Sequence, residues 1–157
     1  MEGLLAVIPS PDGAQVAIGA APGGEGSPYK GIWVVSTEGG TISQVLTEEC
    51  QAFFWVPGEP AIVFTHLDPE RKCFWWKKLD LDTKEVASLG PFWPSRDQLF
   101  YLHFFEQYAT SHPIISEDGA TLIFSGHPPP ESGRDPEPLL WSVDPVSYTH
   151  LTLPTKC

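Results

Sequence analysis

The sequence predicts an all-β chain built from consecutive four-stranded antiparallel units, and three observations carry that prediction. Seventeen Pro and 14 Gly in 157 residues supply more turn chemistry than long helices tolerate. The stretches between those turns are short and rich in aromatic and β-branched residues, which suit a pleated, half-buried surface. A strand–turn–strand pattern also recurs three times along the chain. With 41% hydrophobic residues, the length suits one core and is too small for two.

The first unit is expected over residues 1–47. Ile8-Pro9-Ser10-Pro11-Asp12-Gly13 leads into Ala14 to Ile18, where Pro, Asp and Gly provide the geometry that joins two antiparallel strands. A second hairpin follows, from Gly31-Ile32-Trp33-Val34-Val35 through Glu38-Gly39-Gly40 into Thr41 to Leu46. The second unit, over 48–90, repeats this order. Phe54-Trp55-Val56-Pro57-Gly58 precedes Ala61 to Phe64, and Cys73 to Leu79 turns at Asp80 to Lys84 into Glu85 to Leu89. The third, over 112–145, begins with Ile115-Ser116-Glu117-Asp118-Gly119 and Ala120 to Phe124, and continues at Leu139 to Asp144. An inserted connection, 91–111, separates units two and three.

Gly13 and Gly58 lie 45 residues apart, and four strands in a period near 45 are what a propeller blade requires. The fold class is therefore an incomplete β-propeller of consecutive four-stranded antiparallel blades. Three blades do not close a ring, because propellers close with about 4 to 8. The motifs Ser10-Pro11-Asp12-Gly13 with Val16-Ala17-Ile18, and Ser116-Glu117-Asp118-Gly119 with Leu122-Ile123-Phe124, resemble the PD40 or TolB-like propeller repeat, which is related to WD40 repeats. The resemblance covers residues 3 to 145. The second unit departs from it, since Val56-Pro57-Gly58 lacks the acidic residue.

The tail 146–157 (VSYTHLTLPTKC) changes character, and VSYTHL resembles the translation of a transposon mosaic end used as a sequencing adapter. It is expected to be non-native and is set aside in reading the fold, the gene having been cut near Pro145. The alternative is a genuine edge strand over Ser147 to Thr152, which its alternation permits.

Because antiparallel strands alternate direction, the first and third turns of each blade lie on one face, and the second turns and the blade-to-blade connections lie on the other. The long connections, 20–30, 67–72 and 126–138, all fall on the second face, where binding residues concentrate. That face collects Tyr29, His66, Asp68, Glu70, Arg71, His127, Glu131 and Arg134, together with the insertion. Within the insertion, Leu102, Phe105 and Ala109 have helical spacing, so a short helix is as plausible as a strand. Two readings stand. In one, the aromatics plug the seam between blades two and three, with His112 bonded to a backbone carbonyl. In the other, His103, Glu106, Tyr108 and His112 line the mouth of the channel and contact a ligand.

A nucleophile elbow and phosphate-binding glycine loops are absent from the sequence. Carboxylates are scattered singly through turns, so no catalytic residue and no metal site is assigned and no cofactor is expected; His66 and Asp68 read as a solvated rim. Cys50, Cys73 and Cys157 follow no metal or disulfide spacing. Trp33, Trp75 or Trp76, and Trp141 recur in the third strand and are expected to pack between blades, while Trp55 and Trp93 are expected to be more exposed. A net charge of −11 with nine basic residues disfavours nucleic acid, and no apolar run is long enough to span a membrane.

The functional expectation is a non-catalytic scaffold that binds a protein, peptide or small molecule on the long-loop face. The alternative is the substrate-gating propeller of a prolyl-oligopeptidase-type serine peptidase, which the fragment also resembles. The sequence leaves the compartment open; TolB-like membership implies a periplasmic or extracytoplasmic one.

Overall fold

The computed structural model describes residues 4–21, 28–111, 114–132, 137–145 and 150–153. Blade one is an antiparallel meander of β1 (Leu4–Pro9), β2 (Gln15–Ala21), β3 (Ile32–Ser36) and β4 (Ser43–Leu46), paired in that order. Blade two repeats it with β5 (Phe53–Trp55), β6 (Ala61–Asp68), β7 (Cys73–Asp80) and β8 (Val86–Pro94). Blade three contributes β9 (Leu122–His127), β10 (Leu139–Val143) and β11 (His150–Leu153). The segment expected to be non-native pairs antiparallel with β10 over His150 to Leu153. An open sheet edge accepts any extended chain of alternating pattern, so this pairing follows from the edge rather than from the origin of the tail.

The repeated turns agree in their hydrogen bonds. In blade one the Ser10 hydroxyl donates to Asp12 at 2.6 Å and accepts from the Gln15 amide at 2.9 Å, while Asp12 accepts from the Ala14 amide at 3.0 Å. Ser116, Asp118, Ala120 and Thr121 reproduce the same three bonds at 2.6, 3.0 and 2.9 Å. Gly13 and Gly119 both sit at φ 71°, in the left-handed region that a side chain disfavours. Blade two reaches the same end differently. The Val56 amide bonds the Ala61 carbonyl as Ser10 bonds Gln15, which registers Gly13 with Glu59 rather than with Gly58. Gly58, at φ 76° after Pro57, occupies the third position of a type II turn, so the missing acid is replaced by a different turn geometry.

The core is one cluster running through all three blades. Trp76, fully buried, stacks on Phe92 at 4.6 Å between ring centres and lies 5.6 Å from Phe124, so the third-strand tryptophan of blade two does pack against its neighbour. Trp55 is buried rather than exposed: its indole Nε1 donates to the Ile8 carbonyl of blade one at 3.0 Å, tying two inner strands together.

The insertion is helical, with α1 (Arg96–His103) and α2 (Phe105–Tyr108). β8 pairs with β7 through Phe92, then pairs with β9 at Trp93 and Pro94 opposite His127 and Gly126. The Ser95 amide continues this register by donating to Ser125 at 3.1 Å. Further along β9, the Ile123 amide bonds the Ile114 carbonyl at 2.8 Å, and Ile115 pairs with Leu122. The inner partner of β9 is therefore supplied in two pieces, 93–95 and 114–115. The chain leaves that inner strand after Ser95 and rejoins it at Ile114.

Candidate functional site

Local sequence starts the insertion cleanly. Ser95 caps α1 by accepting from the Gln98 amide at 3.1 Å, and Asp97 lies in the first turn where the helix dipole favours a negative charge. Ser95-Arg96-Asp97-Gln98 is a capping-box pattern that marks a helix start in the sequence itself. Gln98 does not reach back to Ser95. Buried, it accepts from the Ser125 amide at 3.0 Å and fastens α1 to β9.

Leu102 and Phe105 are fully buried and Ala109 packs against the core, as the helical spacing requires. α1 itself packs against β8 and β9, at the expected seam, whereas Phe105 reaches blades one and two. The Phe105 ring sits 5.3 Å from Tyr29 of blade one and 4.8 and 5.7 Å from Phe53 and Phe54 of blade two, and Tyr101 stacks on Phe54 at 6.1 Å. The reason is topological: a segment leaving the innermost strand of blade three faces the inner strands β1 and β5 of the other two. Gly19 leaves room for this cluster, since a Cβ there would come within 2.7 Å of both Phe53 and Tyr29.

The candidate residues are held by this packing. The Tyr29 hydroxyl donates to Glu106 Oε2 at 3.3 Å, and burial followed by the Glu106 charge raises the Tyr29 pKa, so the phenol stays protonated and can donate. Tyr108 stacks on Tyr101 at 5.7 Å, and burial lifts the Tyr101 phenol to about 12. His103 Nδ1 lies 2.8 Å from the Leu99 carbonyl. A carbonyl only accepts, so Nδ1 donates to it and Nε2 is the ring nitrogen left over. His103, Glu106 and Tyr108 thus share one helical segment, each with one polar or aromatic face already committed. His112 lies outside the described residues, as does Arg134.

The remaining residues of the long-loop face are mostly engaged in the loops themselves. Asp68 accepts from the Glu70 and Arg71 amides at 3.1 Å, and those bonds hold its carboxyl below the usual range. His66 Nδ1 lies 3.1 Å from the Glu49 carbonyl and 3.4 Å from the Glu48 carboxylate, which also binds Lys77 at 2.7 Å. Among the described residues, no group of three or more His, Cys, Asp or Glu side chains is placed to hold a metal ion. Nor does any described helix have the length and apolarity to cross a membrane.

What sequence reasoning missed on this face is a cleft between blades two and three. Two adjoining cavities, of about 500 and 390 Å³, share Trp93, His127 and Pro129. The larger adds Lys72, Phe74, Leu99 and Pro130; the smaller adds Phe92, Phe124 and Trp141. Trp93 and Trp141 are the half-buried members of an otherwise buried aromatic wall. The Pro128-Pro129-Pro130 run at the end of β9 was the available signal, but its meaning depends on β8 crossing to β9.

No family model and no curated protein matches the chain. Among solved structures, an oligogalacturonate lyase in complex with manganese aligns with 94% of the chain at 21% identity and a TM-score of 0.62. TolB from Acinetobacter baumannii aligns with 96% at 15% identity and a TM-score of 0.52. The β-propeller domain of the Trilobed protease from Pyrococcus furiosus aligns with 95% at 15% identity and a TM-score of 0.57. The chain spans 35%, 30% and 42% of those chains, respectively. The four-stranded repeats and these neighbours together show that the chain is a part of a β-propeller.

Proposed function

We propose that this part of a propeller is a non-catalytic binding scaffold whose ligand, a protein, peptide or small molecule, is taken on the long-loop face. The observation that carries the reading is the placement of the insertion. A helical segment bearing His103, Glu106 and Tyr108 springs from the innermost strand, beside a preformed cleft of aromatic side chains. Rigid strands presenting irregular segments are the usual way a scaffold holds binding groups.

The test is nuclear magnetic resonance mapping of the whole chain against a fragment library. Binding should move resonances of the insertion, of Trp93 and of Trp141. Shifts confined to the opposite face, around Ser10 and Ser116, overturn the reading. The alternative, a propeller that gates substrate for a serine peptidase, is decided by labelling the product of the uninterrupted gene with a fluorophosphonate: a labelled serine outside this segment establishes it.

A further inference from the structure

We propose that the cleft between blades two and three binds a small aromatic carboxylate, a flat apolar ring carrying one anionic end. This rests on the scaffold reading and names the ligand class of its cleft. The walls set the ring. Phe92, Trp93, Phe124, Trp141 and Pro129 surround a cavity of about 390 Å³, a volume that suits one or two rings. The strands that carry these walls are held close, because β8 and β9 approach so tightly at Gly126 that a Cβ there would lie 2.8 Å from the Trp93 carbonyl. Polar partners are scarce. Trp141 Nε1 already donates to the Gly126 carbonyl at 3.1 Å, so a polyhydroxylated ligand would enter with its hydroxyls unpaired, at a cost.

Charge sets the other end. The chain carries a net charge of −11, yet among the described residues no carboxylate lines either cavity. The titratable groups that do are Lys72 and His127. Lys30, Lys77 and Lys78 are each paired with a glutamate, to Glu49, Glu48 and Glu59, whereas Lys72 makes no ion pair among the described residues. Apolar walls in one cavity and, lining the adjoining one, an ammonium with no ion pair among the described residues complement an apolar anion.

Titrating the whole chain with phenylacetate, phenylacetamide and galacturonate, read by the tryptophan indole resonances, tests this. Phenylacetate should perturb Trp93 and Trp141 and bind about tenfold tighter than the isosteric amide, the difference expected for a hydrogen bond to a charged group. Lys72→Gln, at an exposed position, should abolish that difference and leave the amide's affinity unchanged. Trp93→Ala should weaken both; if that variant does not fold, Lys72→Gln carries the test. Equal affinities for acid and amide, tighter binding of galacturonate, or binding only of a peptide that ends in Phe would each overturn the proposal. Fragments that bind elsewhere on the long-loop face sink this inference and spare the scaffold reading. No binding anywhere on that face sinks both.

Discussion

Asp12, Asp68, Asp80 and Asp118 each spend their carboxylate on a turn, and the bonds they accept hold all four below the ordinary carboxylate range. For Asp12 and Asp118 the main cause is the Ser10 or Ser116 hydroxyl; for Asp68 and Asp80 it is the amide of Arg71 or Thr83. A carboxyl whose folded pKa is depressed adds stability above its unfolded pKa and loses it as pH falls through the folded value. The Asp12→Asn, Asp118→Asn double variant should therefore have a lower urea midpoint than the parent at neutral pH, a gap that narrows as pH falls below about 4 and the parent's carboxylates take up protons. Gly13 and Gly119 offer a second residue-scale prediction. At the same φ of 71°, each should lose about 1 kcal/mol on change to Ala for the left-handed conformation alone. Gly119→Ala should lose distinctly more by thermal melting, because its Cβ would lie 2.6 Å from the Pro57 carbonyl, whereas nothing lies within 4 Å of one at Gly13. The motif letters made the turns legible in the sequence; the contact between the turns of blades two and three was not, since Pro57 and Gly119 are distant in the chain.

At the scale of elements, the insertion shows how far local pattern reaches. The Leu102, Phe105, Ala109 spacing leaves a short helix as plausible as a strand, and the Ser95 to Gln98 pattern is the further local signal that favours the helix. They do not say what the helix packs on. Phe105 is the anchor, fully buried among Tyr29, Phe53 and Phe54. Its change to Ala should cost about 3–5 kcal/mol in chemical denaturation if the whole chain unfolds as one unit. Protease cutting between Ser95 and Ile114 should appear well below the global midpoint, because α2 loses its hold on blade one. Tyr29→Phe removes the bond to Glu106 and keeps the ring packing, so its cost should be about 1 kcal/mol or less. A Tyr29→Phe effect as large as that of Phe105→Ala would mean that the hydrogen bond, not the aromatic cluster, holds the insertion.

On the scale of the whole molecule, the open surfaces are sheet faces as much as strand edges. On β1, Ala6 and Ile8 are buried while Val7 between them is 56% exposed; on β9, Leu122 and Phe124 are buried while Ile123 is 39% exposed. These apolar residues point away from the three-blade core, towards the sides where further blades pack in a ring. The unpaired edges of β4 and β11 add to the same tendency. Sedimentation velocity should therefore show concentration-dependent association, and the Val7→Lys, Ile123→Lys double variant should shift the chain towards monomer with little change in melting. A monodisperse parent at high concentration would contradict this account of the open faces.

The sequence by itself determined the blades, because each hairpin is a local structure: turn residues at fixed offsets and alternating apolar residues specify strand, turn and strand within a few tens of residues. It also determined that the long loops share a face, since that follows from antiparallel order alone. Only the tertiary structure decided that the inner strand of blade three is assembled from 93–95 and 114–115 around a helical excursion. The same holds for where that excursion packs, and for the aromatic cleft that forms as β8 crosses to β9. Those features depend on pairings between residues far apart in the chain. No local propensity encodes them, and they appear only when the blades are brought together.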